Sequence, residues 1–278
     1  MVKKRLDMLL VELDLCLSRQ QAQRLIQAGE VTVNGQLVDK SGMEVDVGAD
    51  IKVKERSRFV SRGGEKLAKA LEVFGISVEG RVCLDGGIST GGFTDCLLQA
   101  GARLVYGVDV GYGQVEWRLR NDSRVILRER TNLRYLTPNE LYGEGDDIPD
   151  LAVVDVSFIS LTKVLSALWE LTQFSREAVL LVKPQFEVGK SRVGKKGVVR
   201  DANDQADAIF QVLQAGVELG WCYKGLTWSP VTGPAGNIEY LLWLGMVSDT
   251  PVPDLEAIKQ VTKSAQGELA TAKIFSDK

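Results

Sequence analysis

Leu6, Leu9, Leu10 and Leu13 recur at the i, i+3, i+4, i+7 spacing that places apolar side chains on one helical face. Ser18 then offers a side-chain cap for a second helix, whose stripe of Ala22, Leu25 and Ile26 ends at Gly29. The pattern next turns to alternation. Residues 31–38 predict a hairpin reversed at Asn34-Gly35, and residues 50–53 a further short strand. From Arg81 onward short apolar runs alternate with helical stretches, the mark of a parallel α/β sheet. Seven strands are expected, at 82–85, 104–110, 125–127, 151–156, 178–183, 223–228 and 239–244. The last is predicted to run antiparallel, entered through a loop at 229–237. Beyond Ser248 the chain is polar except for Leu255, Ile258 and Val261, which predicts a frayed tail without a catalytic part. The domains expected are therefore 1–60 (small, with a linker), 61–247 (the α/β sheet) and 248–278 (tail).

Composition changes this picture mainly by exclusion. The 278 residues are 45% hydrophobic and 26% charged, as in an ordinary globular protein, and the formal charge of −3 means that any nucleic-acid surface must be local. Two stretches supply local charge, each with an excess of five cations: 52–69 and the glycine-containing 188–200. The first suits a solvated linker or a nucleic-acid path, and the second a surface loop or a mobile flap over phosphates. There is no histidine, which excludes every Ser-His or Cys-His catalytic arrangement and the histidine-based zinc sites. Four cysteines without C-x-x-C spacing read as reduced thiols, and no metal site is expected. Asp7, Glu12 and Asp14 interrupt what would be the apolar core of an export signal. The longest apolar runs, 178–182 and 241–247, fall far short of the roughly 20 residues of a membrane helix. A cytoplasmic protein that does not enter membranes is expected.

Chemistry therefore falls to carboxylates, lysines, hydroxyls or a cofactor. The first strand of the sheet runs into Asp85-Gly86-Gly87-Ile88-Ser89-Thr90-Gly91-Gly92, a turn that lets a ligand approach the backbone before a helix begins. Neither Gly86 nor Gly87 has a glycine two residues on, so G-x-G-x-x-G is not met and a nicotinamide cofactor is disfavoured. Asp109, 22 residues after Gly87, ends the second strand where an acid can accept from ribose hydroxyls, a combination that suits S-adenosylmethionine. Carboxyl ends of parallel strands share one edge, so Asp85, Asp109, Asp155 and Lys183 should converge there. The antiparallel strand brings in Glu239, and Lys66 on the preceding helix can cap the cleft.

Two resemblances follow from these motifs. Arg5-Leu6-Asp7, Ser18-Arg19-Gln20-Gln21-Ala22 and Gly29-Glu30-Val31-Thr32-Val33-Asn34-Gly35 resemble the S4 RNA-binding domain. Lys66, Asp155, Lys183 and Glu239, in that order, resemble the Lys-Asp-Lys-Glu tetrad of the FtsJ-like ribose 2′-O-methyltransferases. Together with Ser61-Arg62-Gly63-Gly64-Glu65-Lys66, Asp155-Val156-Ser157-Phe158-Ile159-Ser160 and Lys183-Pro184-Gln185-Phe186-Glu187, the chain is similar to the TlyA family over nearly all of 5–247. One departure is the doubled Gly86-Gly87 followed by Ile88, where the family more often has Asp-hydrophobic-Gly-Ala-Ser.

The resemblance implies a seven-stranded Rossmann-like sheet that binds S-adenosylmethionine behind a small α+β S4 module. It also implies an enzyme that methylates cytidine 2′-hydroxyls in ribosomal RNA, with naked RNA or ribosomal subunits as partner. The implied cofactor residues are Asp85, Gly86, Gly87, Ser89, Gly91, Gly92 and Asp109, with Glu129 and Asn132 toward the base. Arg5, Arg19, Gln20, Arg24, Arg58 and Arg62 are the expected RNA contacts. A lysine beside other cations sheds its proton more readily, so Lys183 is expected to be the base. Lys66 would orient the hydroxyl, with Asp155 and Glu239 holding the two amines. Two other classes compete: a non-catalytic RNA-binding or ribosome-assembly factor with a vestigial sheet, and a membrane-active lysin, since some family members carry the label haemolysin.

Overall fold

The computed structural model describes residues 2–54 and 58–276, with side chains as far as Thr271. Glu55 and Arg56 of the basic 52–69 stretch lie outside the described residues. The chain divides into two units, Met1–Ser57 and Arg58–Lys278.

In the first unit α1 (Leu6–Glu12) and α2 (Arg19–Gln27) follow a short strand β1 (Lys3–Arg5). Ser18 caps α2 by accepting from the Gln21 amide. Leu6, Leu9, Leu10, Ala22, Leu25 and Ile26 are buried, as their spacing predicts. Leu13 is not: it caps α1 after the helix has ended and is 44% exposed. β2 (Val31–Val33) and β3 (Gln36–Leu37) form the hairpin, with Asn34 and Gly35 both at positive φ, 51° and 76°, as a two-residue turn matched to strand twist requires. β4 (Glu44–Asp46) pairs with β1, and β5 (Ile51–Val53) with β2. The β1–β4 ladder is largely charged and exposed, so no apolar alternation announced it.

Asp7 is fully buried at the start of α1. Arg5 reaches both of its oxygens, at 3.1 and 3.0 Å, while Gln23 and Arg19 donate to Oδ2 at 3.0 and 2.9 Å. Charge-assisted donation, from Arg5 above all, holds this carboxyl far below the usual aspartate range. Two of the expected RNA contacts, Arg5 and Arg19, are thus pinned by their inner edges to one acid and remain 43% and 54% exposed.

The second unit opens with α3 (Gly63–Phe74), then alternates β6 (Val82–Gly86), α4 (Gly92–Gln99), β7 (Leu104–Val108), α5 (Trp117–Arg120), β8 (Val125–Arg128), α6 (Pro138–Leu141), β9 (Leu151–Val154), α7 (Leu165–Leu171), β10 (Glu177–Val182), α8 (Pro184–Glu187), α9 (Ala202–Glu218), β11 (Cys222–Trp228), β12 (Tyr240–Gly245) and α10 (Leu255–Ser276). All seven expected strands are present, in the order β11-β12-β10-β9-β6-β7-β8, with β12 antiparallel to both neighbours. Both faces are covered, which is why the strands read as unbroken apolar runs. Cys83, Val105, Val153 and Val179 pack toward Leu67, Ala70 and Leu97, whereas Leu84, Tyr106, Val154 and Leu180 pack toward Leu165, Leu168, Ile209 and Leu213. Burial pushes the Cys83 and Cys96 thiols up to about 12, so neither is reactive at neutral pH.

Two expectations fail here. The residues after Ser248 do not simply fray: α10 buries Ile258, Thr262 and Ala265 and packs on α9 and β11. Its apolar positions are few, but each has a groove to fill. The 188–200 stretch is also held in place. Arg192 pairs with Asp207 at 2.5 Å, and Val199 is buried.

A carboxylate held at a depressed pKa stabilises the fold above its unfolded value of about 3.9, and that stabilisation is lost as the pH falls below it. In the full chain, hydrogen exchange of the α1 and α2 amides should accelerate below about pH 4. Asp7→Asn should raise exchange at pH 7 and weaken this acid dependence; an unchanged profile in the variant would show that Asp7 is not the anchor.

Candidate active site

Strand order reverses between β6 and β9, and the carboxyl ends of these two strands frame the cleft, as they do in open α/β sheets generally. A cavity of about 330 Å³ lies there, lined on its polar side by Gly87, Ser89, Asp109, Gln114, Thr131, Asn132, Asp155 and Ser157, and on its apolar side chiefly by Val108, Leu133, Val156 and Ile159. That volume is at the lower end of the range for small-molecule sites, about 300–1,000 Å³. A second cavity of about 190 Å³ is bounded by Arg62, Lys66, Gly87, Gly92 and Asp155. A third, of about 300 Å³, is bounded by Ser157, Phe158, Lys183, Phe186, Lys196 and Glu239.

The turn after β6 is built for close approach. Gly87 has φ +88°, and a Cβ there would lie 2.6 Å from the Asp155 carbonyl oxygen. Ser89 also sits at positive φ, with its amide donating 2.8 Å to Asp109 Oδ2, while Gly111 donates 2.7 Å to Oδ1. Asp109 is thereby fixed at the cleft wall. Gly86, Gly91 and Gly92 are small for a different reason, since a Cβ at each would overlap Leu133, Leu119 or Ser61; Gly92 alone of the three lines a cavity.

Asp85 lies behind the cleft, fully buried. Thr94 Oγ1 donates to its Oδ2 at 2.7 Å, and its Oδ1 is buried without a hydrogen-bond partner. Burial first, then the charges of Asp155 and Asp109, push this carboxyl up to about 7.

The four tetrad positions form two ion pairs. Lys66 Nζ lies 2.5 Å from Glu239 Oε2, with Lys66 8% and Glu239 2% exposed. Lys183 Nζ lies 2.6 Å from Asp155 Oδ1 as an ion pair without a hydrogen bond; its hydrogen bond goes to Ser157 Oγ, at 2.7 Å. The pairs share the cavities crosswise. Lys66 and Asp155 bound the 190 Å³ space, and Lys183 and Glu239 the 300 Å³ one.

Phe158 lines both the 330 Å³ and the 300 Å³ cavities and is 92% exposed at φ +64°, with its ring 5.2 Å from that of Phe186. A bulky residue in that region is strained, and strain persists only where the surroundings enforce it. Here Glu187 does so by accepting from Ser160 Oγ at 2.5 Å and the Leu161 amide at 2.9 Å, tying the Phe158 loop to α8.

Glu129, which the sequence leaves open between a base contact and a structural cap, sits in a bracing position. Arg120 grips both its oxygens, at 3.0 and 2.6 Å, and the Gly113 amide donates to it at 2.7 Å, so it braces the 111–113 turn and does not line the cleft. Asn132 does line it, as do Thr131 and Gln114, which the sequence reading did not single out. Ser157, Phe158 and Phe186 were visible as motif letters but carried no assigned role. Arg62 borders the 190 Å³ cavity, Arg58 is exposed beside Phe59, and Gln20 and Arg24 are exposed on α2. Lys66, counted among the basic 52–69 stretch, is spent in its ion pair.

The strand order, its reversal point and the glycine turn beneath Asp109 define a Rossmann-like methyltransferase sheet behind a small α+β module. The model of the FtsJ-like methyltransferase family matches residues 59–246, and that of the S4 domain residues 4–51. The chain belongs to the FtsJ-like methyltransferase family. It is 49% identical to the 16S/23S rRNA (cytidine-2′-O)-methyltransferase TlyA of Mycobacterium tuberculosis over 89% of this chain and 91% of that one. It is 46% identical to YqxC of Bacillus subtilis, a candidate rRNA methyltransferase, over 98% of this chain and 97% of that one. Among solved structures, a candidate hemolysin from Streptococcus thermophilus aligns with a TM-score of 0.74 at 44% identity, covering 98% of this chain and 99% of that one.

An acid held neutral by burial penalises folding once its unfolded counterpart ionises. The Asp85 contribution is therefore full below about pH 4 and is lost as the pH rises through about 7. Between these values the melting temperature of the ligand-free protein should fall more for the native chain than for Asp85→Asn, which keeps an acceptor for Thr94. Parallel curves would show that Asp85 is charged throughout. Gly87→Ala, with its Cβ against a carbonyl at positive φ, should lower stability by roughly 1–3 kcal/mol in denaturant titrations.

Proposed function

We propose that the chain methylates the ribose 2′-hydroxyl of cytidine in ribosomal RNA, using S-adenosylmethionine. The observation that carries this reading is the crosswise sharing of two cavities by two lysine–carboxylate pairs, one buried and one half-buried at Asp155, beside a cleft with a fixed ribose-ready acid. The rRNA (cytidine-2′-O)-methyltransferase activity of the Mycobacterium relative supports it.

The residues present fit the cofactor. Gly87 brings side-chain-free backbone to the cleft wall, Asp109 lines the cleft where it can accept from ribose hydroxyls, and Thr131, Asn132 and the apolar wall suit a base. The buried, unpartnered Asp85 Oδ1 and the Asp155 carboxylate favour a ligand carrying positive charge. When bound, S-adenosylmethionine supplies an electrophilic methyl group on a sulfonium.

The chain's own residues then prepare the acceptor. A ribose 2′-hydroxyl is a weak nucleophile at neutral pH, so its proton must be taken as it reacts. Lys183 receives that proton on Nζ, and the ammonium that results is neutralised by Asp155 at 2.6 Å. Lys66, kept charged and in place by Glu239, steadies negative charge on the 2′-oxygen. Phe158 and Phe186 offer a stacking surface for the target base. Outside the site, Arg5, Arg19, Gln20 and Arg24 of the first unit, and Arg58 and Arg62 of the second, supply donors for phosphates. Such a substrate would place the reaction in the cytoplasm. A lytic role has only relatives' names behind it; among the described residues no helix is long and apolar enough to cross a membrane.

Labelled methyl transfer to bacterial ribosomal subunits and to naked rRNA should yield alkali-resistant dinucleotides at cytidine. Lys183→Ala should reduce the rate about 10²- to 10⁴-fold while calorimetry still detects S-adenosylmethionine binding; normal transfer by this variant would refute the assigned role. A wild-type chain that binds RNA but never transfers methyl would favour the non-catalytic reading. Phe158→Ala should raise KM for RNA by a factor corresponding to about 1–3 kcal/mol of lost stacking, with little change in cofactor affinity.

A further inference from the structure

The 194–200 loop meets the cavity of about 300 Å³, where the proposed reading puts the RNA acceptor, at Lys196 and Gly197. It closes on itself, the Gly197 amide donating to the Gly194 carbonyl and the Gly194 amide to the Val198 carbonyl, and it buries Val199. It contains no regular element, and Lys195, Lys196 and Arg200 are exposed. What holds it is a set of buried amides from elsewhere. Asn237, 2% exposed and two residues before Glu239, accepts from the Val199 amide and donates to the Gly197 carbonyl, both at 2.9 Å. Gln205, also 2% exposed, donates 2.8 Å to the Val199 carbonyl and accepts 2.6 Å from the Tyr240 hydroxyl. Burial pushes that phenol up, so it stays a donor.

The chain of amides continues into the C-terminal helix. Gln266 Nε2 donates 2.8 Å to the Arg200 carbonyl and 3.3 Å to Gln205 Oε1. Thr262, fully buried, donates 2.9 Å to the Ala202 carbonyl. One end of this network therefore adjoins Glu239, the middle spans the basic loop, and the far end is α10. The Asn237 and Gln205 links to Val199 pair backbone groups of a buried residue, which would cost about 1–3 kcal/mol if left unpaired, while the Gln266 link to the Arg200 carbonyl is exposed. The loop is consequently locked where a free glycine-containing segment would fluctuate.

Resting on the RNA-methylating reading above, we propose that Gln205, Asn237 and Gln266 are positioning residues that hold Lys196 at the acceptor cavity, so that α10 sets the affinity for RNA without touching it. The expected signature is electrostatic. A lysine held against a phosphate contributes about 0.9 to the slope of log affinity against log salt. Releasing the loop should remove that contribution, much as deleting the lysine does.

The test uses the full chain with bacterial 30S and 50S subunits and their naked rRNA. Gln266→Ala should weaken RNA binding about 3- to 10-fold and lower the salt slope by about one. It should raise KM for RNA while kcat and S-adenosylmethionine affinity stay within about two-fold. Lys196→Ala should do the same, and the double variant should be scarcely worse than either single one. Should Gln266→Ala melt markedly early, Gln266→Glu keeps the shape and removes the donor, and should give the same result. Unchanged RNA affinity and salt slope, or effects that multiply in the double variant, would overturn the inference while leaving the enzymatic reading intact. A wild-type chain that methylates none of these RNAs would overturn both.

Discussion

The second unit is organised around one buried ion pair. Lys66 and Glu239 lie 173 positions apart, yet Nζ and Oε2 meet at 2.5 Å almost out of reach of solvent. Removing two charges from water costs several kcal/mol per ion, and an apolar pair of equal volume would often be as stable or more so. Stability therefore gives little reason to keep lysine and glutamate here. What the pair does achieve is geometric: it fixes the end of α3 that carries Lys66 against the entrance of β12. Lys183 and Asp155 make the corresponding link between β10 and β9. With both links made, the two amines border adjoining cavities and each keeps a counter-charge.

The cleft beside them is held by backbone rather than by side-chain packing. Asp109 receives amides from Ser89 and Gly111, and the turn through Gly87 runs against the Asp155 carbonyl. A turn with such positive φ values has few alternatives open to it, so the cleft is formed before any ligand arrives. The departure at Gly86-Gly87 is explained in these terms. Gly86 has Leu133 where a Cβ would go, while Gly87 has a carbonyl there, so each glycine answers to a different neighbour.

Sheet and helices were legible because both faces of the sheet are covered and its strands are apolar without interruption. The tetrad was legible because its members end consecutive strands or flank them, and strand ends share an edge. The charged β1–β4 ladder was hidden, since Lys3–Arg5 and Glu44–Asp46 carry almost no apolar alternation. Glu129 misled for a related reason. An acid after a third strand can face a ligand or turn back, and only the position of Arg120 decides which. The packing of α10 was missed because Ile258 is the only large apolar side chain among its described buried residues, Thr262 and Ala265 being polar and small, which propensity does not distinguish from a solvated helix.

The acids of the site point to one further constraint. Burial above all, with the charges of Asp155 and Asp109 adding to it, pushes Asp85 up to about 7. Such a cluster is unfavourable in the ligand-free protein, since it leaves one carboxyl oxygen without a partner and another in an ion pair without a hydrogen bond. Replacing any of the three by a neutral residue would relieve that repulsion. It would also remove the feature that distinguishes a cationic ligand from a neutral one of similar shape. Once a donor has lost its methyl group, its sulfonium charge is gone and the acids hold it less strongly. On the proposed reading, a site that holds Asp85, Asp109 and Asp155 together would favour the charged donor over its neutral product.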